Sequence, residues 1–227
     1  MAEYKYQMHT HTSPASFCSR MTPSELVEAL HSEGYAGCVL TNHFFRGNTG
    51  IDRNLPWKEF VASYEEDYLV CKSLGEKYGL DILFGLEEQI GEGREILLYG
   101  VTPQMLYAHP ELRGADAALW YKIMHEYGAL VIQAHPYRDR AYISQIGVLP
   151  QNVIDGIEVF NYGNKREDDE KAEAYARANP HLICTSGADT HQTSWVGIGG
   201  IATDTRLTDE HMLVDVLKSG KYTLLTE

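Results

Sequence analysis

The chain has 227 residues, 44% of them hydrophobic, enough to fill the core of one α/β barrel domain over residues 1–227 without a disordered low-complexity tail. Its formal net charge of −13 argues against a nucleic-acid duplex partner, which calls for a basic surface; it agrees with an acidic solvated surface or with negative charge gathered around bound cations. No apolar run approaches the length of a membrane span and the stretch Met1-Ala2-Glu3-Tyr4-Lys5 has no signal-peptide core, so the expected location is cytoplasmic, with no membrane contact and with Cys18, Cys38, Cys71 and Cys184 as free thiols.

Tyr4 to His9 reads as a first strand and runs into Met8-His9-Thr10-His11-Thr12. Two histidines one residue apart on an extended chain point the same way, so both imidazoles can reach one cation. Thr22-Pro23-Ser24-Glu25 has the pattern of a helix start, with Thr as cap, Pro at the first position and Glu at the third. Leu26, Val27 and Leu30 supply its apolar face, and Gly34 ends it. Cys38-Val39-Leu40 is a short buried strand ending in Thr41-Asn42-His43, and a loop follows over 44–56. A long helix is predicted from Trp57 to Lys77, stopped by Gly79. Asp81 to Leu86 is a third strand leading into Glu87; Glu92-Gly93 turns the chain into a fourth at 96–99.

Ala115 to Tyr127 reads as helix and Leu130-Val131-Ile132 as a fifth strand, followed by Ala134-His135-Pro136. Gly156 to Phe160 is a sixth strand ending at Asn161, and Lys165 to Ala178 a charged helix stopped by Asn179-Pro180. Leu182-Ile183-Cys184 is a seventh strand, leading into Gly187-Ala188-Asp189-Thr190-His191. A last helix near 208–219 and an extended end at 222–225 complete the pass. Short buried strands alternating with helices predict a parallel sheet with helical crossovers, closed as a barrel.

His9, His11, His43, Glu87, His135, Asp189 and His191 each follow a predicted strand. In a βα barrel those ends share the face where active sites are built. Each residue alone has an ordinary explanation as a strand stop, a cap or a surface group; together, at five separate strand ends, they point to metal ligation. His31, His125 and His211 fall in helices, and His109 and His181 in Pro-containing segments; these five read as structural or solvated. Imidazole with carboxylate suits zinc, iron or manganese. Seven ligand-type residues exceed the needs of one ion and fit two or three divalent transition metals with Glu87 as a bridge, an arrangement suited to in-line phosphoryl chemistry.

With His9-Thr10-His11, Thr41-Asn42-His43, Gly85-Leu86-Glu87, Ala134-His135-Pro136, Asp155-Gly156-Ile157-Glu158-Val159-Phe160-Asn161 and Gly187-Ala188-Asp189-Thr190-His191 in this order, the whole chain resembles the polymerase-and-histidinol-phosphatase (PHP) family. The resemblance implies a distorted seven-stranded (βα)7 TIM-like barrel and metal-dependent phosphoesterase activity. It implies one metal on His9, His11, Glu87 and Asp189, a second on Glu87 and His135, and a third on His43 and His191. Two positions depart from the family. Cys18 stands where an Asp or His often serves the third metal, and Glu95 where a His often serves the second. Cys18 is expected to be a small packed thiol, while Glu95 is either a ligand or a bystander.

The expected reaction is hydrolysis of a small phosphorylated metabolite or nucleotide by a metal-bound hydroxide. Arg138 and Arg20 are the candidate phosphate partners, Arg138 also stabilises developing charge, and His191 is a candidate proton donor. Arg140, Lys165 and Arg166 are weaker phosphate partners. One rival is an amidohydrolase-type C–N hydrolase, which often carries a lysine at the end of the fourth strand; none occurs in Ile96-Leu97-Leu98-Tyr99-Gly100. The other is a non-catalytic metal-binding regulatory barrel.

Overall fold

The computed structural model describes residues 3–226; Met1 and Ala2, part of the stretch read for a signal peptide, and Glu227 lie outside the described residues. Strand β1 (Tyr4–Thr10) is followed by α1 (Pro23–Ser32), β2 (Gly37–Leu40), α2 (Trp57–Tyr78), β3 (Asp81–Gly91) and β4 (Arg94–Tyr99). Then come α3 (Pro103–Ala108), α4 (Ala117–Glu126), β5 (Leu130–Gln133), β6 (Gly156–Asn161) and α5 (Arg166–Ala178). The chain ends with β7 (Ile183–Gly187), β8 (Gly200–Thr203), α6 (Glu210–Ser219) and β9 (Thr223–Leu225).

The helix signals act as the sequence indicates. The Thr22 side chain accepts from the Glu25 N–H, and the Glu25 carboxylate accepts from the Thr22 N–H at 2.8 Å, a reciprocal cap on α1. Gly79 takes the left-handed conformation (φ 71°) that ends α2.

The nine strands form one sheet in the order β7-β6-β5-β4-β3-β2-β1-β8-β9. Strands β1, β2 and β3 run parallel, as do β5, β6 and β7, but β4 is antiparallel to both β3 and β5. The expected set of seven parallel strands is therefore replaced by a mixed, barrel-shaped sheet. The reason is the turn at Gly91-Glu92-Gly93: only Glu92 and Gly93 separate β3 from β4, and a connection that short can only reverse the chain. Strand β8 and helix α3 were not expected.

The barrel nearly closes between β1 and the residues after β7. Thr10 pairs with Thr190, the His11 N–H donates to the Thr190 carbonyl, and the Thr190 N–H donates to the His9 carbonyl, both at 3.0 Å. This seam lays His9 and His11 beside Asp189 and His191. One apolar cluster lies between sheet and helices, with Phe44, Phe60, Leu86 and Trp120 among its fully buried members. A second fills the barrel interior, where Tyr6, Met8, Val39, Leu83 and Leu97 pack with Leu213, Val214 and Leu217 of α6. Arg206, just before α6, pairs with Asp81 at the start of β3, so α6 lies at the strand-start end and leaves the opposite end to polar side chains. Among the described residues, no helix is long and apolar enough to cross a membrane, and the four cysteines are free.

Candidate metal centre

The strands deliver all seven predicted ligand-type residues to one place. Glu87 sits at its middle: its carboxylate lies 3.2 Å from His9 Nε2, 3.4 Å from His11 Nε2, 2.9 Å from His43 Nδ1 and 3.2 Å from His135 Nε2. Asp189 Oδ1 lies 3.4 Å from His9 Nε2, 3.1 Å from His11 Nε2 and 3.3 Å from His191 Nδ1. Glu87 is not at the end of its strand as predicted, because β3 continues to Gly91. That extension also carries β4 alongside, and Glu95 in β4 places its carboxylate 3.4 Å from His135 Nε2 and 3.9 Å from His43 Nδ1.

Three imidazoles are held so that Nε2 faces inward. His9 Nδ1 meets the Glu158 carboxylate at 3.0 Å, an oxygen that accepts, so Nδ1 carries the proton and Nε2 presents its lone pair. His11 Nδ1 meets Ser16 Oγ at 3.1 Å; Ser16 gives its own proton to Asn42 Oδ1 at 2.8 Å, so it can only accept from the ring. Asn42 is fixed in turn by donating to Asp67 at 2.8 Å. His191 Nδ1 lies 2.6 Å from the Asp189 carbonyl oxygen, which leaves Nε2 as its free nitrogen.

His9 Nε2, His11 Nε2, His43 Nδ1, Glu87 Oε2 and Asp189 Oδ1 are all buried and lack a hydrogen-bond partner. They approach one another to 2.9–3.4 Å without hydrogen-bond geometry, as lone pairs do when they converge on a common point. Buried polar atoms in this state are costly unless a cation satisfies them. Three ligand groups emerge: His9, His11, Glu87 and Asp189; His43, Glu87 and Glu95; and His11, His43 and His191, the ligand atoms within each lying within 4.8 Å of one another. The residues present thus fit bound metal ions.

In the metal-free protein a proton on His9 and on His43 stands in for the cation, and a metal would displace it. Burial penalises charge on His9, but Glu158, Asp189 and Glu87 outweigh it and hold the ring well above the usual histidine range. Burial works against ionising Glu87 and Asp189 too, yet both are held well below the usual carboxylate range, with His9 the leading counter-charge. Burial and the neighbouring Glu87 charge push Glu95 up to about 8. His135 and Asp189 also carry positive φ values, 30° and 53°. Such backbone costs about 1–3 kcal/mol per residue and collects at functional sites. Glycine is required at 187, where a Cβ would come within 2.6 Å of both His9 Cβ and Glu158 Oε1.

A cavity of about 400 Å³ opens onto this centre, lined by Cys18, His43, Glu87, Glu95, Arg138, Tyr142, Asp189 and His191 among others. Arg138 is buried and donates to Asp189 Oδ2 at 2.7 Å, Asn161 Oδ1 at 2.7 Å and Asn164 Oδ1 at 2.8 Å. Arg20 is exposed and does not line the cavity; its backbone N–H donates to the His191 carbonyl at 2.9 Å. Arg140 and Arg166 bond to Gly163 and Glu170 and Lys165 approaches Asp139, all away from the centre. Cys18 is not the packed thiol expected: its Sγ lies 3.0 Å from His191 Nε2. Burial opposes its ionisation, but bonds from His191 and His43 bring the thiol down to about 6.

Sequence reasoning gave no role to Glu158, Ser16, Asn42 or Asp67. The signal for Glu158 is an acidic residue inside the apolar run of β6. For Asp67 it is a carboxylate on the face of α2 shared by Phe60, Tyr64 and Cys71, all buried.

No family model matches the chain, and no curated protein matches it in sequence. Solved structures do match its fold. One is a two-domain protein containing a predicted PHP-like metal-dependent phosphoesterase from Bacteroides vulgatus, with a TM-score of 0.73, 15% identity, and coverage of 100% of this chain and 65% of that one. The fold is PHP-like. An amidohydrolase from Chromobacterium violaceum, solved with bound sulfate, matches with a TM-score of 0.60 at 14% identity over 98% of both chains. The lesion-specific endonuclease Q from Pyrococcus furiosus matches with a TM-score of 0.69 at 12% identity, over 98% of this chain and 58% of that one. The chain therefore spans about three fifths of the length of the two larger neighbours.

Endonuclease Q also corrects the expectation that a nucleic-acid duplex is no partner. A structure of that enzyme holds a 27-mer duplex with an abasic lesion at its active site. Net charge is a sum over the whole surface and does not describe the face that meets a substrate, so −13 excludes no duplex on this fold.

Proposed function

We propose that this chain is a metal-dependent hydrolase that cleaves phosphoesters. The observation that carries the reading is the set of five buried, unpartnered atoms on His9, His11, His43, Glu87 and Asp189, of which His43, Glu87 and Asp189 line a cavity that also presents Arg138. One metal belongs on His9, His11, Glu87 and Asp189. A second belongs on Glu87, Glu95 and His135, and a third on His43 and His191. Zinc, manganese and iron suit these donors. When bound, the ions supply Lewis acidity at phosphoryl oxygens and an acidified water.

The chain's own residues do the rest. A guanidinium has five N–H donors, and Arg138 commits three of them to Asp189, Asn161 and Asn164, so two stay uncommitted for a phosphoryl oxygen on a side chain that lines the cavity. His191 cannot be ligand and proton donor together: Nδ1 is committed to the Asp189 carbonyl, and one Nε2 serves one role. We assign it as a ligand. Arg20 is not assigned to the phosphate. Glu158 and the Ser16-Asn42-Asp67 chain hold the His9 and His11 rings in the tautomer that ligation needs. The C–N hydrolase reading is weaker because β4 offers Glu95, and no lysine, to the centre.

The test is a substrate panel on metal-loaded protein: phosphomonoesters, nucleotides, phosphodiesters and an abasic duplex beside amides and nucleobases. Chelator-sensitive release from a phosphoester is expected. Turnover confined to amide or nucleobase substrates hands the site to the C–N hydrolase reading, and silence throughout hands it to a binding module.

A further inference from the structure

We propose that Cys18 is a thiolate ligand of a metal held with His43 and His191, and that this end of the cluster selects zinc over manganese. The proposal rests on the metal-cluster reading above and adds to it a sulfur ligand and a metal preference. Cys18 Sγ lies 3.0 Å from His191 Nε2, the only nitrogen that ring has left to offer, and shares the cavity wall with His43. His11, His43 and His191 bring ring nitrogens within 4.8 Å of one another. Two of these rings carry a nitrogen with no hydrogen-bond partner: His11, with none of its surface exposed, and His43, with 7% exposed. The sulfur thus contacts one member of a histidine group whose other two members each carry an unpartnered nitrogen.

The other thiols show the contrast. Cys38 and Cys71 are fully buried in the apolar cluster around the sheet, and Cys184 approaches only the Leu182 carbonyl. The backbone around Cys18 is pinned on both sides. The Phe17 N–H donates to the Asn48 carbonyl at 2.9 Å, the Ser19 N–H to the Ser16 carbonyl at 3.1 Å, and the Arg20 N–H to the His191 carbonyl at 2.9 Å. The last of these ties the Cys18 loop to the His191 loop directly.

Sulfur decides the metal. A thiolate with imidazoles suits zinc or cobalt, whereas manganese favours oxygen donors. The opposite end of the cluster, with Glu87, Glu95 and His135, is rich in oxygen. One chain therefore presents a sulfur–nitrogen end and a carboxylate end. Binding at the first displaces the proton held between Cys18 Sγ and His191 Nε2 and releases it to solvent.

The experiment uses the full chain, stripped with chelator and titrated with cobalt(II), then with zinc in the presence of excess manganese. Wild type is expected to show a sulfur-to-cobalt charge-transfer band in the near ultraviolet and to retain one equivalent of zinc against manganese. Cys18→Ser should lose the band and the zinc preference while keeping cobalt d–d absorption from the rest of the cluster. Cys18→Asp should regain a third equivalent without the band. Cobalt d–d absorption with no charge-transfer band in wild type, or a band that persists in Cys18→Ser, would overturn sulfur ligation and leave the cluster reading standing. No cobalt binding at all would overturn both.

Discussion

Replacing Arg138 with alanine removes the cation from a buried network, and the cost differs between the metal-free and metal-loaded protein. The guanidinium donates to Asp189 Oδ2, Asn161 Oδ1 and Asn164 Oδ1, and the side chains of Arg138 and Asp189 are each only 8% exposed. Removing one partner of a buried pair typically costs about 3–5 kcal/mol, because the other charge stays buried. His9 also faces Asp189 and is the larger counter-charge, so the metal-free loss falls at about 3 kcal/mol. In the loaded protein the cation meets the Asp189 charge. Two amide oxygens then lose donors, and the loss falls to about 1–2 kcal/mol. Arg138→Lys keeps the charge without the planar fork and should lie between. Urea unfolding of both forms, followed by tryptophan fluorescence, measures the difference. A metal-free loss below about 1 kcal/mol, or equal losses in the two forms, would refute the assignment of Arg138 as the clamp on Asp189.

Glu87 belongs to two of the ligand groups, so Glu87→Gln should lower the metal content by more than His191→Ala does, while His125→Ala, whose ring pairs with Asp155, should leave it unchanged; elemental analysis of folded protein decides. Equal loss in all three would mean that folding, not ligation, was disturbed. Ser16→Ala frees the His11 ring to change tautomer and should weaken metal binding by about 10–100-fold in a chelator competition; an unchanged affinity removes the Ser16-Asn42-Asp67 chain from the account. The contribution of Glu95 to the stability of the metal-free protein should fade as pH rises from about 5 to 8. Glu95, at about 8 in the native state against 4.5 as its ordinary value, contributes stability that is complete below the lower value and gone above the higher. The raised His9 and His43 act in the same direction. The lowered Glu87 and Asp189 instead stabilise above their ordinary carboxylate range and lose that contribution on acidification. Lowered His11, His135 and Cys18 gain stability as pH rises, so the Glu95 contribution is read as a difference: in thermal melts of chelated protein, wild type should lose stability relative to Glu95→Gln between pH 5 and 8, and a constant difference contradicts it.

The site was more legible than the fold that carries it. His9, His11, His43, His135, Asp189 and His191 stand at strand ends, and ligand-type side chains there have a meaning that does not depend on strand direction. Strand direction is another matter, since the residues of β4 read the same either way. The information lay in the connection: two residues at Glu92-Gly93 can only make a hairpin, and a hairpin makes β4 antiparallel. Strand β8 drew no expectation, because its four residues begin at the second glycine of Gly199-Gly200 and glycine is depleted in strands. Gly200 is there because a Cβ would come within 2.2 Å of the Tyr6 carbonyl oxygen across the β1–β8 pairing. Cys18 was expected to pack as a small hydrophobe; its meeting with His191 joins residues 173 apart and shows only in three dimensions. Arg138 was found as a cation near the centre, but its three acceptors, brought from β6, from the turn after it and from beyond β7, come together only in three dimensions.

If the converging ligands on one barrel face hold a cluster of metal ions, and that cluster makes the chain a phosphoesterase, metal and cleavage must come and go together. Chelated protein titrated with zinc or manganese, with phosphoester cleavage and bound metal followed in the same samples, tests it most directly. The stripped protein should not cleave, activity should rise only beyond the first bound equivalent, and Asp189→Ala should lose both binding and cleavage. Cleavage that persists without metal, or fully loaded protein that cleaves no phosphoester, would contradict it.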